Sequence, residues 1–382
     1  MAFEALDPRA WALPAELLAR VQTPALVVHL EHVRANVARV LALCGGDPER
    51  WRPHVKSSKI PRVQAELARA GLRRFKCATT RELDVLLATL AAEGVDDGDV
   101  LLAHPLVGPG LERVARLAAR HPRARLSVLC EVPEAVAEVP AGVGVFVDLN
   151  PGMDRTGIPL ADDARVRATL RAAGGRLRGV HFYDGHLHHA DRAERRAAVH
   201  AGYAALAEAL DALERDGPPV REVVTAGTPA LLDALAFEGL ARPGRAHRVS
   251  PGTVVYHDLR SEQETPELGL APAALVLARV VSRPGPGRVT CDAGSKSLAA
   301  EAGDPCAVVL GRPELVAARP SEEHLPLDGP PDALPARGEL LQLVPRHVCP
   351  TVNLAAEALI VERGALLEVA EVSARAHDLL LS

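Results

Sequence analysis

The chain has 382 residues, 48% of them hydrophobic and 24% charged, with a formal net charge of -5. A large core can be built from this composition, and the charge balance argues against nucleic acid or an anionic membrane as the main partner. No run of about 18 uncharged apolar residues is present, so no membrane span is expected.

The N-terminal stretch from Met1 to Leu18 carries Glu4, Asp7, Arg9 and Glu16 and lacks the apolar segment of a signal peptide. The cysteines Cys44, Cys77, Cys130, Cys291, Cys306 and Cys349 are widely spaced and form no CxxC pair. That pattern fits reduced thiols and predicts a cytoplasmic protein. Aromatics are scarce, which we read as compositional bias and not as function.

From about residue 25 to about residue 255, short apolar runs alternate with amphipathic stretches. The expected strands are Ala25–Leu30, Trp51–Val55, Arg74–Ala78, Val100–His104, Arg125–Cys130, Val143–Leu149, Leu177–Tyr183 and Glu222–Ala226. Helical periodicity is expected over Glu31–Cys44, Pro61–Ala70, Arg81–Glu93, Leu111–Arg120 and Arg192–Arg215. Strands alternating with helices imply parallel βαβ units, and eight of them predict a closed TIM-type (β/α)8 barrel. Past about residue 265 the texture changes. Short β runs at Leu275–Ser282, Arg288–Cys291, Ala307–Leu310, Glu339–Leu343 and Leu359–Val361 are separated by Pro and Gly. The expected organisation is a barrel over 20–265 and a mostly β domain over 266–382, with 1–19 packing nearby.

In a parallel barrel, chemistry sits at the C-terminal ends of the strands. Polar residues and glycines gather at those ends here. They include Arg52-Pro53-His54-Val55-Lys56, the run from Asp148 through Arg155 to Gly157, Tyr183-Asp184-Gly185-His186, Ala226-Gly227-Thr228-Pro229 and Ser250-Pro251-Gly252-Thr253. Lys56 is the sharpest candidate, because a partly buried lysine at a barrel mouth can form an imine with a carbonyl cofactor. Lys59 nearby reads as a solvated surface charge. Gly227-Thr228 and Gly252-Thr253 look like phosphate holders, each a weak signal on its own. Among His181, His186, His188 and His189, His186 is the favoured catalytic or cofactor-contacting residue, because it follows the Gly185 turn. In the β domain, His347-Val348-Cys349 would present imidazole and thiolate on one side of a strand, a pair suited to zinc or a similar metal.

These motifs resemble one family. Thr23-Pro24-Ala25-Leu26-Val27-Val28, Arg52–Lys56 and Lys76-Cys77-Ala78-Thr79 look like the N-terminal half of the D-threonine aldolase / D-serine dehydratase family. Tyr183-Asp184-Gly185-His186, Ser250–Thr253, Asp292-Ala293-Gly294-Ser295-Lys296, Ser321-Glu322-Glu323-His324 and His347–Leu354 continue the resemblance in order. The family belongs with the alanine-racemase-like, fold-type III pyridoxal-phosphate enzymes. The resemblance implies an alanine-racemase-type barrel plus a β domain, usually in a homodimer. It implies that Lys56 carries the cofactor and that Arg155 lies near the cofactor's phenolic oxygen. Tyr183 would contact the pyridine ring, and Gly227, Thr228, Gly252 and Thr253 would hold the phosphate. His347 and Cys349 would bind a divalent metal, zinc or manganese. Relatives often read Lys-Thr-His-Lys where this chain has Lys56-Ser57-Ser58-Lys59, so a histidine able to assist proton transfer is absent at Ser58.

The activity expected from the resemblance is a pyridoxal-phosphate- and metal-dependent lyase acting on D-3-hydroxy amino acids. Resembling dehydratases carry a cysteine at the position of Cys349, whereas aldolases often carry a carboxylate. That favours D-serine dehydratase-like elimination to a keto acid and ammonia over retro-aldol cleavage to glycine and an aldehyde. A racemase needs a base on each face of Cα and no metal, and a cofactor-binding protein without turnover needs no β domain. Both remain as further alternatives.

Overall fold

The computed structural model describes Phe3, residues 6–189 and residues 191–379. Residues 1, 2, 4 and 5 of the N-terminal stretch, Glu4 among them, lie outside the described residues, as do 190 and 380–382. The chain forms two compact units, each assembled from separated segments. One takes the residues up to Arg39 together with Ser57–Glu66 and Thr253–Ala376. The other takes Val40–Lys56, Leu67–Gly252 and the tail from His377. No helix among the described residues is long and apolar enough to cross a membrane.

The first strand, β1 (Ala25–His29), belongs to the β-rich unit. The barrel unit follows with β2 (Arg74–Cys77), β3 (Asp99–Pro105), β4 (Arg125–Cys130), β5 (Gly144–Asn150), the short β6 (Ile158–Pro159), β7 (Leu177–Phe182), β8 (Glu222–Thr225) and β9 (Ala246–Val249). These run parallel in the order β2-β3-β4-β5-β7-β8-β9, with β6 beside β5. The segment Trp51–Val55 closes the circle. Trp51 bridges Val249 and His54 bridges Lys76, both in parallel sense. Arg52 N–H donates to Val249 O at 2.9 Å, and Val55 N–H donates to Lys76 O at 2.8 Å. Pro53 has no N–H to give, so this wall is a pair of bridges where the sequence predicted a continuous strand.

Two further strand expectations are corrected. Ala25–Leu30, expected in the barrel wall, is instead β1, antiparallel to β10 (Ala274–Gly285) and parallel to β16 (Glu357–Glu362). Its apolar run suits any central strand, and Val27 packs with Leu277 and Val361. The missing barrel strand is β9, whose Ala-His-Arg-Val sequence has no apolar run to mark it.

Side chains alternate along each strand, so residues two apart share a face. Inside the barrel this gives three levels. At the base, Arg52 is wholly buried, with Nε 2.8 Å from Glu222 Oε1 and Nη2 3.0 Å from Asp99 Oδ1. Two residues further along the strands, Leu101, Phe146 and Val224 pack with Leu129 into an apolar plug. Two residues beyond Phe146, Asp148 stands beside His181 in the β5–β7 register. The helices outside carry the matching apolar stripe. Val199, Tyr203, Leu206, Leu210 and Leu213 are buried along Arg192–Leu213, which Asp191 caps by accepting from Glu194 N–H. Thr79 caps Thr80–Ala92 in the same way, and Glu82 reaches back to Ala78 N–H.

The β-rich unit continues with β10, then β11 (Arg288–Cys291), β12 (Ala307–Val309), β13 (Val316–Ala317), β14 (Leu325–Asp328), β15 (Leu340–Pro345), β16 and β17 (Ala365–Glu371). Its sheet runs β13-β14-β11-β10-β1-β16-β17, with β15 joining β10 to β12. Cys291, Leu298, Val309, Leu325, Leu327 and Leu343 form its core.

The base network yields a stability prediction. Burial raises the Asp99 carboxyl, but the charges of Arg52 and Arg74 outweigh it and hold the group below its usual range. A depressed native pKa stabilises the fold above the unfolded value of about 3.9, and the gain is lost as pH falls through the native value. Arg52→Ala removes the buried partner that Asp99 and Glu222 share and leaves them Arg74 and Arg248, so denaturant unfolding at pH 7 should show a loss of about 3 kcal/mol. The deficit should narrow below about pH 4, as those carboxylates protonate. Identical unfolding curves at pH 7 would show that the network contributes nothing.

Candidate active site

The barrel's C-terminal rim converges on Tyr183, just beyond β7. Lys56 Nζ lies 5.9 Å from the centroid of its ring, Lys76 Nζ 5.4 Å and Arg155 Cζ 5.0 Å. Three basic side chains around one ring make a mouth suited to an anionic, planar ligand. Tyr183 keeps its place because glycines flank it. A Cβ on Gly185 would stand 2.3 Å from Tyr183 Cζ, and one on Gly227 would stand 3.3 Å from Cε2. Lys56 ends the closing segment, and the loop after β9 ties that segment down. Ser250 Oγ donates to Arg52 O at 2.7 Å, and Trp51 Nε1 donates to Pro251 O at 3.0 Å. Gly252 lies so close over the segment that a Cβ there would be 2.2 Å from His54 O.

Behind the ring lies a buried polar row that the sequence reading did not assign. His181 Nδ1 is 2.7 Å from Asp148 Oδ1, and Thr156 Oγ1 donates to Asp148 Oδ2 at 2.8 Å. His181 stands nearly parallel to Tyr183, with centroids 6.4 Å apart. Its Nε2 is 3.5 Å from Lys76 Nζ. Burial would raise Asp148, but the hydrogen bonds from His181 and Thr156 and the charge of Arg155 lower it, so it is a carboxylate. Burial lowers His181 despite Asp148. The neutral imidazole then donates Nδ1–H to Asp148 and offers Nε2 to Lys76. Burial also pushes Lys76 down to about 7, with the charge of Lys56 adding and Asp184 and Asp148 opposing. A second buried carboxyl, Asp184, is raised by burial and accepts from Tyr203 Oη at 2.5 Å. Histidine density after β7 gives no facing in the sequence, whereas counting alternate residues from Gly179 turns His181 inward.

The remaining predicted residues fall as follows. Gly227 N–H, expected to hold phosphate, donates to Asp184 Oδ1 at 3.2 Å in this structure. It follows Ala226, a non-glycine residue at φ 61, so the turn holds a backbone conformation that few side chains adopt. Thr228 is next in that turn and nearly buried. His186 has a buried Nδ1 with no partner among the described residues. Its Nε2 would be 3.9 Å from a Cβ on Gly152. His188 and His189 are exposed.

In the β-rich unit, His347 and Cys349 do not lie on a strand. His347 is the N-cap of the helix Val348–Leu354, and Cys349 is in its first turn. The helix starts there because Asp258 Oδ2 accepts from Val348 N–H at 3.0 Å and Thr351 Oγ1 donates back to His347 O at 2.8 Å. The two side chains nonetheless meet, since His347 and Cys349 are hydrogen-bonded. Burial opposes the imidazolium, but Cys349, Asp258 and Glu301 outweigh it and raise His347. Cys349 Sγ lies 2.9 Å from Ser57 Oγ and 3.3 Å from Thr253 Oγ1. Ser57 is the residue after Lys56 in the chain. Lys59, expected in solvent, is buried, and its Nζ donates to Ala374 O at 3.2 Å.

Both implied groups can be tested against these residues. Pyridoxal phosphate needs an amine and a cation beside a flat aromatic face. Lys56, Arg155 and Tyr183 supply the amine, the cation and the aromatic face, and His186 Nδ1 is a buried polar atom with no partner among the described residues. The metal has a matching nitrogen and sulfur pair in His347 and Cys349. Among the described residues no group of three His, Cys, Asp or Glu is gathered around a metal-sized site.

Comparison with known proteins agrees with this geometry. Residues 28–259 match the alanine racemase N-terminal domain family, and residues 273–361 match the putative serine dehydratase domain family. A D-threonine aldolase from Arthrobacter sp. is 31% identical over 379 residues, covering 95% of each chain. The crystal structure of D-threonine aldolase from Filomicrobium marinum superposes with a TM-score of 0.81 at 30% identity, covering 93% of this chain and 95% of that one. The D-threo-3-hydroxyaspartate dehydratase from Delftia sp. HT23 gives a TM-score of 0.74 at 25% identity over 94% and 99%. Likeness spanning both units, with the lysine, tyrosine and arginine gathered at one barrel mouth, leads to one conclusion: the chain belongs to the D-threonine aldolase / D-serine dehydratase family of alanine-racemase-like, fold-type III pyridoxal-phosphate enzymes, and it is a lyase of D-amino acids.

Proposed function

We propose that this lyase acts on D-3-hydroxy amino acids with the help of a divalent metal, and that it removes the β-hydroxyl, giving a keto acid and ammonia. The observation that carries this reading is the hydrogen-bonded pair of His347 and Cys349, with Cys349 Sγ 2.9 Å from the hydroxyl of the residue that follows Lys56. Pyridoxal phosphate, when bound, supplies the electron sink for the bond broken at Cα. His347 and Cys349 would hold the metal, whose contribution is to polarise the β-oxygen as a Lewis acid.

The chain's own residues do the rest. Lys56 would be the amine that holds the cofactor, and its Nζ would also be placed to take a proton from Cα. Tyr183 would offer a flat face to orient the cofactor, and Arg155, whose Cζ lies over that ring 5.0 Å from its centroid, would add a permanent positive charge. Gly252, Thr228 and Thr253 line the turns that would receive the phosphate, while Gly227 positions Tyr183 and Asp184. Dehydration requires a proton to leave Cα and another to reach the departing hydroxide. Retro-aldol cleavage requires instead that the β-hydroxyl be deprotonated. The aldolase reading is the second one, and the 31% identity to an aldolase supports it. For the assembly we propose a homodimer, with exposed Leu366, Leu367 and Val369 on the edge strand β17 supplying apolar surface.

Purified protein incubated with D-serine, D-threonine and D-threo-3-hydroxyaspartate should release a keto acid and ammonia, and a chelator should suppress the release. Glycine and an aldehyde as sole products would overturn the dehydratase reading in favour of the aldolase. Cys349→Ala should lower turnover by at least about 100-fold, since losing only a residue that supports a metal ligand costs about 10–100-fold. A racemase would be indifferent to that change. Borohydride treatment followed by mass mapping should find the reduced cofactor on Lys56, and a label confined to any other lysine would reject the assignment.

A further inference from the structure

Position 76 lies on β2 in register with Leu101, which packs with Leu129, Phe146 and Val224, so an apolar residue would suit it. Lys76 is instead 2% exposed, so its amine is held in the interior at a cost in desolvation that no surface role explains. Among the described residues no carboxylate forms an ion pair with it. Its Nζ meets an imidazole nitrogen, His181 Nε2 at 3.5 Å, and the imidazole is in turn fixed by Asp148 at 2.7 Å. A base oriented by an imidazole and a carboxylate is the arrangement of a proton-transfer chain. Lys56 shares the same tyrosine ring, and among the described residues no carboxylate pairs with it.

We propose that Lys76, seated on His181 and Asp148, is the internal acceptor of the proton that Lys56 must shed each time its amine bonds to the cofactor's carbonyl carbon. This rests on Lys56 being the cofactor lysine. The step balances. One proton passes from the Lys56 ammonium to the Lys76 amine. The freed lone pair of Lys56 Nζ adds to the carbonyl carbon, a C=N bond replaces C=O, and the oxygen leaves as water with the two remaining amine hydrogens. In elimination the same route can return the proton taken from Cα to the departing hydroxide, so no base is required at Ser58. Lys76 acts through Lys56 and is a positioning residue in that sense.

The groups facing Lys76 come from every wall of the mouth. Lys56, His54 and Arg52 lie on the closing segment, Asp148 on β5, Arg155 on the loop after it, His181 on β7 and Asp184 just beyond. Burial and the charges of Lys56 and Arg52 favour the neutral amine, which is the form that can accept a proton, and Asp184 and Asp148 favour the ammonium that results. An acceptor that titrates near the working pH serves both halves of the transfer.

The test is the rate at which protein stripped of cofactor forms a borohydride-trappable bond to added pyridoxal phosphate, followed from pH 6 to 10 with the label mapped. The native chain should label Lys56 with an acid limb near neutrality. Lys76→Met should label the same lysine at least about tenfold more slowly at pH 7, approaching the native rate only as pH rises towards ordinary lysine values of about 10.4. Lys76→Arg keeps the charge but cannot accept a proton, and it should fall with Lys76→Met. His181→Gln, which leaves the lysine in place, should move the limb in the same direction by less. Circular dichroism verifies folding of each variant. A native pH profile in Lys76→Met or in Lys76→Arg would overturn the proposal. Failure of the native chain to label Lys56 would instead overturn the assignment of that lysine.

Discussion

Barrel closure through Trp51–Val55 is the constraint on which the site depends. Lys56 is the residue immediately after this segment, so its position is fixed by whatever holds the segment between β9 and β2. Backbone hydrogen bonds hold it at Val249 and Lys76, Ser250 and Trp51 clamp it to the following loop, and Gly252 lets that loop approach. Pro53 limits the ladder to two bridges, and the side chain of Arg52 compensates from below with its two buried carboxylate partners. The base network at Arg52 and the rim at Lys56 are therefore joined by three residues of chain, Pro53, His54 and Val55.

The layering of the barrel interior separates stability from chemistry. The ion network at the base and the apolar plug above it keep the strand registers in place. The registers then set Asp148 against His181, and Lys76 against both. A slip of one residue in β5 or β7 would turn these groups outward and leave Val147 or Phe182 at the mouth. The polar row thus depends on strand pairing laid down further along the barrel, where no chemistry occurs.

The His347 and Cys349 pair shows the same economy in the β-rich unit. The helix that presents it begins on Asp258, a residue that also caps Leu259–Glu264. One carboxylate therefore sets the start of two helices and the position of both candidate ligands. Cys349, with hydroxyls of Ser57 and Thr253 beside it, is held in a polar setting, unlike Cys44, Cys130, Cys291 and Cys306, whose thiols burial pushes up to about 11 or 12.

Local periodicity alone determined the alternation of strands and helices, the change to β structure near residue 265, and the gathering of Lys56, Arg155, Tyr183 and Gly252 at strand ends. Those features depend on neighbours within a few residues, and motif order added the family. Strand membership was decided only by tertiary structure. Val27 in β1 looks like a barrel residue until Leu277 and Val361 are seen to flank it, and β9 has no apolar run because its His247 and Arg248 find partners from distant segments. The choice of His181 over its neighbours, the burial of Lys76 and Lys59, and the helical setting of His347 and Cys349 have the same cause. Each is fixed by groups tens to hundreds of residues away in the chain, and no window of sequence contains that pairing.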